Sequence, residues 1–201
     1  MIRFRTLLAA LAAAGLIAMA PAVQAGWKMI PTQSRQNVGD LLLRPRADWN
    51  GSGTKPGPQG AAWTQDGFAL NSLEIFSGVP AGQPLYRERD RKHNPMPKFD
   101  PAMLLPDLVD YFERSFRANN PVAEFKVDEI VPAELAGARA ITVRYHYLLT
   151  GDDLSRRGEA RLASKGGLLY AINFQAPTLY YFEAGIGEAR AIMDGAGFTK
   201  K

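Results

Sequence analysis

Two histidines are the side chains in this sequence best suited to acid–base chemistry. His146 lies on the polar face of a predicted strand, between Arg144 and Leu148. A general base needs a partner that orients it and a group to deprotonate, and the sequence indicates neither. We therefore interpret His146 as a strand histidine and assign no catalytic residue. The alternative is a hydrolase-type enzyme in which an acidic side chain lies within about 3.2 Å of this imidazole.

The composition removes several classes of site. The chain has no cysteine, which excludes disulfides, thiol catalysis, iron–sulfur clusters and cysteine–zinc sites. The pair Asp152-Asp153 follows Gly151, a composition typical of a hairpin turn rather than of a calcium cage. No nucleophile-elbow or phosphate-loop motif is present. We expect no metal, no cofactor and no enzymatic activity.

A cation-rich segment, residues 86–98, is the strongest candidate for binding. Exposed cations beside aromatic groups favour an acidic partner, and we expect an unidentified protein or envelope component. Interleaved Glu88 and Asp90 weaken the local field, so a solvated loop is the alternative. The net charge of +4 is too small to indicate nucleic-acid binding. The candidate partner-binding residues are Tyr86, Arg87, Arg89, Arg91, Lys92 and His93.

Aromatic residues also cluster around the Ala176-Pro177 break. Rings that combine apolar area with a polar tip are suited to the floor of a ligand groove. The alternative is that they close the edge between sheet and helix. The candidate groove residues are Tyr170, Tyr180 and Tyr181.

The first 25 residues have the pattern of a cleavable signal peptide. Arg3 and Arg5 precede the apolar run Leu7–Ala20, and small residues stand before the expected cleavage site after Ala25. The run is shorter than the about 20 residues of a membrane span, so we expect no transmembrane anchor after cleavage. Without cysteine, no lipidation follows. The predicted location is the periplasm, with secretion as the alternative.

The remaining chain predicts an N-terminal arm over 26–37 and a single α+β domain over 38–198. Apolar stripes predict a helix over 105–117 and a second helix that begins at Pro177-Thr178, with Thr178 as its N-cap. Alternating residues predict antiparallel strands, and Asp66-Gly67 predicts a two-residue hairpin turn. The predicted strands are Val38–Arg44, Ala61–Gln65, Phe68–Ser77, Glu124–Val131, Arg139–Thr150, Gly158–Ser164 and Leu168–Ala176.

This order of elements resembles the PsbP-like proteins, which include Mog-type proteins and many bacterial exported proteins. The resemblance rests on residues 137–149 (GARAITVRYHYLL), residues 168–183 (LLYAINFQAPTLYYFE) and the position of the helix over 105–117. It implies an α/β/α sandwich, a twisted antiparallel sheet flanked by helices. It also implies partner binding rather than catalysis, and no ligand residue of the family has a clear counterpart here.

We therefore expect an exported periplasmic protein that binds a protein or envelope partner through its loops. One alternative is a carrier of small ligands or lipids, which needs an apolar cavity of several hundred Å³. The other is the hydrolase-type enzyme that uses His146.

Overall fold

The computed structural model describes residues 26–199, so the predicted signal peptide lies outside the described residues. The helices are α1 (Leu105–Asn119) and α2 (Tyr181–Asp194). The strands of the first half are β1 (Lys28–Ile30), β2 (Gln36–Val38), β3 (Leu41–Leu43), β4 (Trp49–Gly51), β5 (Gly60–Thr64) and β6 (Ser72–Pro80). Those of the second half are β7 (Val122–Leu135), β8 (Ala138–Leu149), β9 (Arg156–Lys165), β10 (Leu168–Pro177) and β11 (Gly197–Phe198).

An eight-stranded antiparallel sheet forms the centre, in the order β1-β4-β5-β6-β10-β9-β8-β7. Alternate residues of its strands face opposite sides, so Ile172 packs with α2 while Ala171 packs with α1. A small sheet, β11-β3-β2, adds to the α2 side. The predicted α+β class and flanked antiparallel sheet are confirmed.

Helix α1 follows its sequence pattern closely. Asp107 accepts a hydrogen bond from the Leu104 backbone N–H at 2.8 Å, which satisfies a free donor at the helix start. Leu108, Phe112 and Phe116 face the sheet and are fully buried. At the other end, the Asn120 side-chain amide donates to the Phe116 carbonyl oxygen at 3.0 Å. No helix in the described part of the chain is long and apolar enough to cross a membrane.

Helix α2 starts later than its sequence pattern indicates. Pro177 is the last residue of β10, where it pairs with Arg156. The Thr178 backbone N–H donates to the Ser155 carbonyl oxygen at 2.9 Å, so Thr178 lies in a turn instead of capping the helix. The predicted N-cap was therefore wrong, because β9 holds this segment in the sheet beyond the point where proline would break a helix.

The connection between β5 and β6 also differs from the prediction. Residues 65–71 form a longer loop in place of a two-residue turn at Asp66-Gly67. The buried Asn71 side chain accepts from the Thr64 hydroxyl at 2.7 Å and donates to Asp66 at 2.6 Å. These side-chain hydrogen bonds take the place of backbone hydrogen bonds between the two strands. They stabilise the loop without a tight hairpin turn.

The outer strands of the large sheet are very different in length. Residues 26–37, expected to be an arm, contain β1, which pairs with β4, and most of β2. At the opposite edge, β7 pairs with β8 through two register shifts, at Val122/Glu124 and Val127/Glu129. Pro132 further interrupts the donors of this edge.

Candidate functional site

Tyr86 belongs to the core and not to a binding surface. It is 0% exposed, its ring packs edge-on against Phe76, and its hydroxyl donates to the Glu74 carboxylate at 2.8 Å. The expectation that Tyr86 contacts a partner was therefore wrong. The charged residues around it do form an exposed loop, but the Tyr86 ring lies beneath that loop, in the core.

Glu74 is a buried acid that the sequence analysis did not identify. Burial raises its pKa, and hydrogen bonds from Asn173 at 3.1 Å and from Tyr86 only partly oppose this effect. Asn173 in turn accepts from the Tyr145 hydroxyl at 2.9 Å. Gly158 lets Tyr145 cross β9, since a Cβ there would lie 2.3 Å from the Tyr145 hydroxyl oxygen.

The other five candidate partner-binding residues are exposed. Several contacts hold the loop, two of which matter here: Lys98 pairs with Glu88 at 3.0 Å, and the Asn94 amide donates to the Ala118 carbonyl oxygen at 2.9 Å. The second contact places residues 87–94, which we call the loop tip, beside the last turn of α1. The exposed candidates are Arg87, Arg89, Arg91, Lys92 and His93.

Among these exposed residues, local carboxylates engage only part of the charge. His93 lies 3.0 Å from Asp90, and Arg91 lies 4.0 Å from Glu88. Within residues 26–199, Arg87, Arg89 and Lys92 make no ion pair. The loop tip is therefore a basic surface at the end of the sandwich where α1 finishes.

A pocket of about 190 Å³ lies at this same end, which we call the pocket end. Loop 65–71, the end of α1, the end of β8, the start of β9 and the end of β10 all contribute to it. The lining residues are Phe68, Ala69, Leu70, Asn71, Asn120, Tyr147, Leu149, Arg156, Gln175, Ala176 and Pro177.

Three polar side chains of the pocket come from neighbouring strands on the α1 side of the sheet. The Tyr147 hydroxyl donates to the Gln175 side-chain oxygen at 2.7 Å. Arg156 lies on the strand between them and donates from Nη2 to Asp152 at 2.7 Å. The Arg156 Nε is buried without a hydrogen-bond partner in the described structure. Arg156 and Gln175 therefore offer donors to the pocket.

Shortly after Pro177, which lines the pocket, a strained turn exposes two large apolar side chains. Tyr180 has φ +67° and ψ −62°, and the Tyr181 N–H donates to the Leu179 carbonyl oxygen at 2.8 Å. This is a γ-turn with positive φ, a rare and strained geometry for a non-glycine residue. Leu179 and Tyr180 are 76% and 77% exposed.

A second exposed apolar pair at the pocket includes a residue from the N-terminal segment of the chain. Trp27 stacks on Phe68 with ring centroids 5.5 Å apart, and both rings remain exposed. Because Phe68 also lines the pocket, this stacked pair extends the apolar rim. Sequence reasoning missed the pair because 41 positions separate two residues whose contact depends on the folded sheet.

The three tyrosines of the predicted groove are not brought together. Tyr170 is buried near the opposite end of β10, where it packs edge-on against Phe198. Tyr180 and Tyr181 follow the other end of that strand, more than about 20 Å away at the usual rise per residue. Tyr180 is exposed, while Tyr181 packs partly against the core.

His146 does have a carboxylate neighbour. Its Nδ1 lies 2.8 Å from Asp128 Oδ1, and the imidazole and carboxylate are 33% and 39% exposed. Lys126 pairs with His146, so Asp128, two residues further along β7 and next to the register shift at Val127/Glu129, lies on the same face. Lys126 and Arg157 are the cross-strand neighbours of His146, so cations flank the pair.

On the α2 side, arginines surround a second buried acid. Glu159 is 1% exposed, and Arg190 and Arg144 donate to it at 2.6 and 2.9 Å. Burial raises its pKa, but the two guanidinium groups outweigh this, and the net pKa is lowered. This network links α2 to the sheet. Among the described residues, no group of three potential ligands could hold a metal ion.

The sequence matches no protein-family model and no curated protein. Among solved structures, cyanobacterial PsbP (CyanoP) from Synechocystis sp. PCC 6803 is similar with a TM-score of 0.54 and 12% identity, over 92% of this chain and 99% of that one. A protein from Bacteroides thetaiotaomicron is similar with a TM-score of 0.49 and 9% identity, over 85% of this chain and 50% of that one. The present chain spans half the length of that protein.

LpqN, a protein involved in cell envelope biogenesis of Mycobacterium tuberculosis, gives a TM-score of 0.37 and 13% identity, over 90% of this chain and 88% of that one. At these identities the comparison concerns the fold, and the CyanoP structure carries it. The expected resemblance is thus confirmed at that level: this chain has a PsbP-like fold.

Proposed function

We propose that this protein is an exported binding protein that docks onto an acidic protein partner through its pocket end. The observation that carries the proposal is the γ-turn at Tyr180. A strained backbone costs about 1–3 kcal/mol, and such strain persists mainly where function requires the geometry. Here the turn holds Leu179 and Tyr180 in solvent.

Exposed apolar side chains beside a pocket are suited to protein recognition. Aromatic residues provide large contact areas and are enriched among residues that dominate binding energy. Phe68 of the stacked pair Trp27–Phe68 lines the pocket, and Leu179 and Tyr180 follow Pro177, which also lines it. A partner that covers them would remove their apolar area from water.

The charge of the loop tip favours an acidic partner. Arg87, Arg89 and Lys92 make no ion pair among the described residues, and the contact between Asn94 and Ala118 places the tip beside α1's last turn. Asn120, two residues further, lines the pocket. Complementary charge would chiefly accelerate association, so binding should weaken as salt is added.

The predicted signal peptide supports the periplasm as the compartment of the proposed interaction. Export and partner binding are both tested by expressing the full chain in its own host with a C-terminal affinity tag. The mature N-terminus and its compartment are determined by mass spectrometry of fractionated cells. A mature chain that starts at Gly26 in the periplasmic fraction supports export, whereas an intact chain in the cytoplasm contradicts it.

Partner binding is then measured by crosslinking in envelope extracts and quantitative mass spectrometry. The variant Leu179→Ser/Tyr180→Ser removes the apolar pair of the γ-turn. Leu104→Ser is the matched control, since Leu104 is 70% exposed at the start of α1, away from the pocket end. We expect one protein to be recovered with the wild type and the control but lost with the double variant, and recovery to fall with salt. Equal recovery by all three, or recovery of no protein, contradicts the proposal.

A further inference from the structure

We infer that the pocket at the pocket end is a receptor site for one carboxylate group of an extended segment with an apolar flank. Arg156 and the Gln175 amide would bind the carboxylate, and the apolar walls would hold the carbon atoms beside it. This inference rests on the proposed function, because it names what the partner inserts at the docking surface.

Arg156 is held in place while keeping donors free. Its side chain is 14% exposed, and Asp152 binds only its Nη2. Asp152 is itself fixed by the Leu154 backbone N–H at 2.9 Å. A guanidinium has five N–H donors in a rigid fork that matches a carboxylate. A tethered arginine with remaining donors is therefore prepared for an anionic acceptor.

The second donor comes from Gln175. Its side-chain oxygen accepts the Tyr147 hydroxyl, which leaves the amide nitrogen without a partner among the described residues. Tyr147 is buried, and burial raises its pKa, so its hydroxyl remains a donor throughout the ordinary pH range. This bond fixes the amide orientation and favours an incoming acceptor.

Two side-chain acceptors at or beside the pocket, those of Asn71 and Asp152, are already engaged. The Asn71 oxygen accepts from the Thr64 hydroxyl and the Gln65 backbone, and the Asp152 carboxylate binds Arg156. A ligand that brings donors would find these two acceptors occupied. One that brings a carboxylate would find both an arginine and an amide.

The size and walls of the pocket limit the ligand. Its volume of about 190 Å³ is below the roughly 300–1,000 Å³ of pockets for drug-sized molecules. Phe68, Leu70, Leu149 and Pro177 form apolar walls. A glutamate side chain or the terminal residue of a peptide matches this combination, because both place a carboxylate next to aliphatic carbon.

The test is a titration of the isotopically labelled protein with three short peptides, followed by NMR of the Arg156 Nε–H and Gln175 amide signals. The first peptide has an internal glutamate and an amidated end, the second has no acidic side chain but a free carboxyl end, and the third has glutamine and an amidated end. We expect saturable shifts with the first or second, which distinguishes the two carboxylate sources. The neutral third peptide should produce none.

Variants separate the site from its surroundings. Arg156→Gln should weaken carboxylate binding by about tenfold or more, the usual scale for a hydrogen bond to a charged group. Arg156→Lys keeps the positive charge but lacks the planar set of guanidinium donors. It shows whether an effect of Arg156→Gln is due only to a folding defect. The matched control is Arg157→Gln, the next residue on β9, which faces α2 and pairs with Glu183 at 2.6 Å.

Shifts that are equal for the neutral peptide, absent with all three, or unaffected by both Arg156 variants would overturn the inference. These outcomes are independent of partner capture. If carboxylate peptides bind but the Leu179 and Tyr180 variants do not affect capture, the proposed docking surface fails while the pocket inference stands. The reverse result leaves the docking surface and removes the carboxylate site.

Discussion

The hydroxyl of Tyr86 donates a hydrogen bond of 2.8 Å to the buried carboxyl group of Glu74. This contact fixes residues 81–104, which have no helix or long strand of their own, to the centre of the sheet. The loop that carries the basic tip is therefore anchored at its base in the core. Its exposed residues can vary in position without loosening the sandwich.

Replacement of Glu74 by glutamine should remove the pH dependence of stability that this carboxyl group causes. Because the folded pKa of Glu74 is raised, the stabilising effect of its protonated form is full below the unfolded value near 4.5 and is lost as pH rises through the folded pKa. Glu74→Gln keeps an acceptor for Tyr86 and Asn173. We expect it to increase the free energy of unfolding at pH 8 by about 1 kcal/mol, the lower end of the cost of burying an unsatisfied polar group.

The measurement is urea unfolding at pH values from about 4 to about 9, a range that includes the unfolded pKa near 4.5. The difference between wild type and Glu74→Gln should be smallest at the acid end and grow with pH. A difference that is constant, or that shrinks as pH rises, would show that Glu74 does not titrate in this way. Tyr86→Phe, which removes one donor, should enlarge the wild-type slope.

Glu159 should show the opposite behaviour. Its folded pKa is lowered, so its stabilising contribution is present above the unfolded value near 4.5 and is lost as pH falls through the folded pKa. Glu159→Gln should cost about 2 kcal/mol at pH 7, below the range for a fully buried pair because both arginines reach solvent. The loss should disappear in strongly acidic urea titrations. Glu183→Gln, an exposed partner of Arg157, is the control and should change stability by less than about 1 kcal/mol.

Two glycines of α2 should respond in opposite directions to alanine. A Cβ at Gly185 would lie 2.5 Å from Phe174 Cζ, whereas nothing lies within 4 Å of a Cβ at Gly187. Gly185→Ala should lower the free energy of unfolding by about 1–3 kcal/mol through overpacking. Gly187→Ala should raise it by about 0.5–1 kcal/mol, because alanine is the better helix former. Thermal unfolding of both variants checks this, and similar effects at the two positions would contradict the close packing of α2 on β10.

Tyr180→Gly should stabilise the fold and weaken partner binding together. Glycine adopts positive φ without strain, so we expect a gain of about 1 kcal/mol even though a side chain is removed. Leu179→Gly offers no such relief and serves as the comparison. Chemical unfolding and crosslinking are measured on the same samples. A Tyr180→Gly protein that is less stable than wild type would mean that the γ-turn is not strained.

The parts of the fold that sequence reasoning predicted are those with local periodicity. The strict alternation around Val143 and Tyr145 identified β8, and the stripe through Phe112 identified α1. Such patterns depend on neighbours one to four positions away, which the sequence displays directly. Strand ends were less accurate, as at Pro177, because pairing with a neighbouring strand overrides a local break signal.

The candidate site was largely beyond sequence reasoning. Glu74 and Asn173 are 99 positions apart, and only the adjacency of β6 and β10 brings them into contact. Arg156 was not distinguishable from its neighbour Arg157 until the strand faces were known. The charged loop was identified, but its tyrosine was assigned to the surface because a run of charges hides a single residue that faces inward.

The long outer strand β7 is poorly suited to pairing with a strand of a second copy of the protein. A straight strand of 14 residues at the margin of a sheet would offer a regular row of amide and carbonyl groups to another chain. The two register shifts bend that row, Pro132 removes a donor, and charged side chains such as Lys126 and Glu129 repel close approach. Each of these features lowers the capacity of β7 to act as a template for a strand of another molecule, so we expect little fibril growth through this margin even at high concentration.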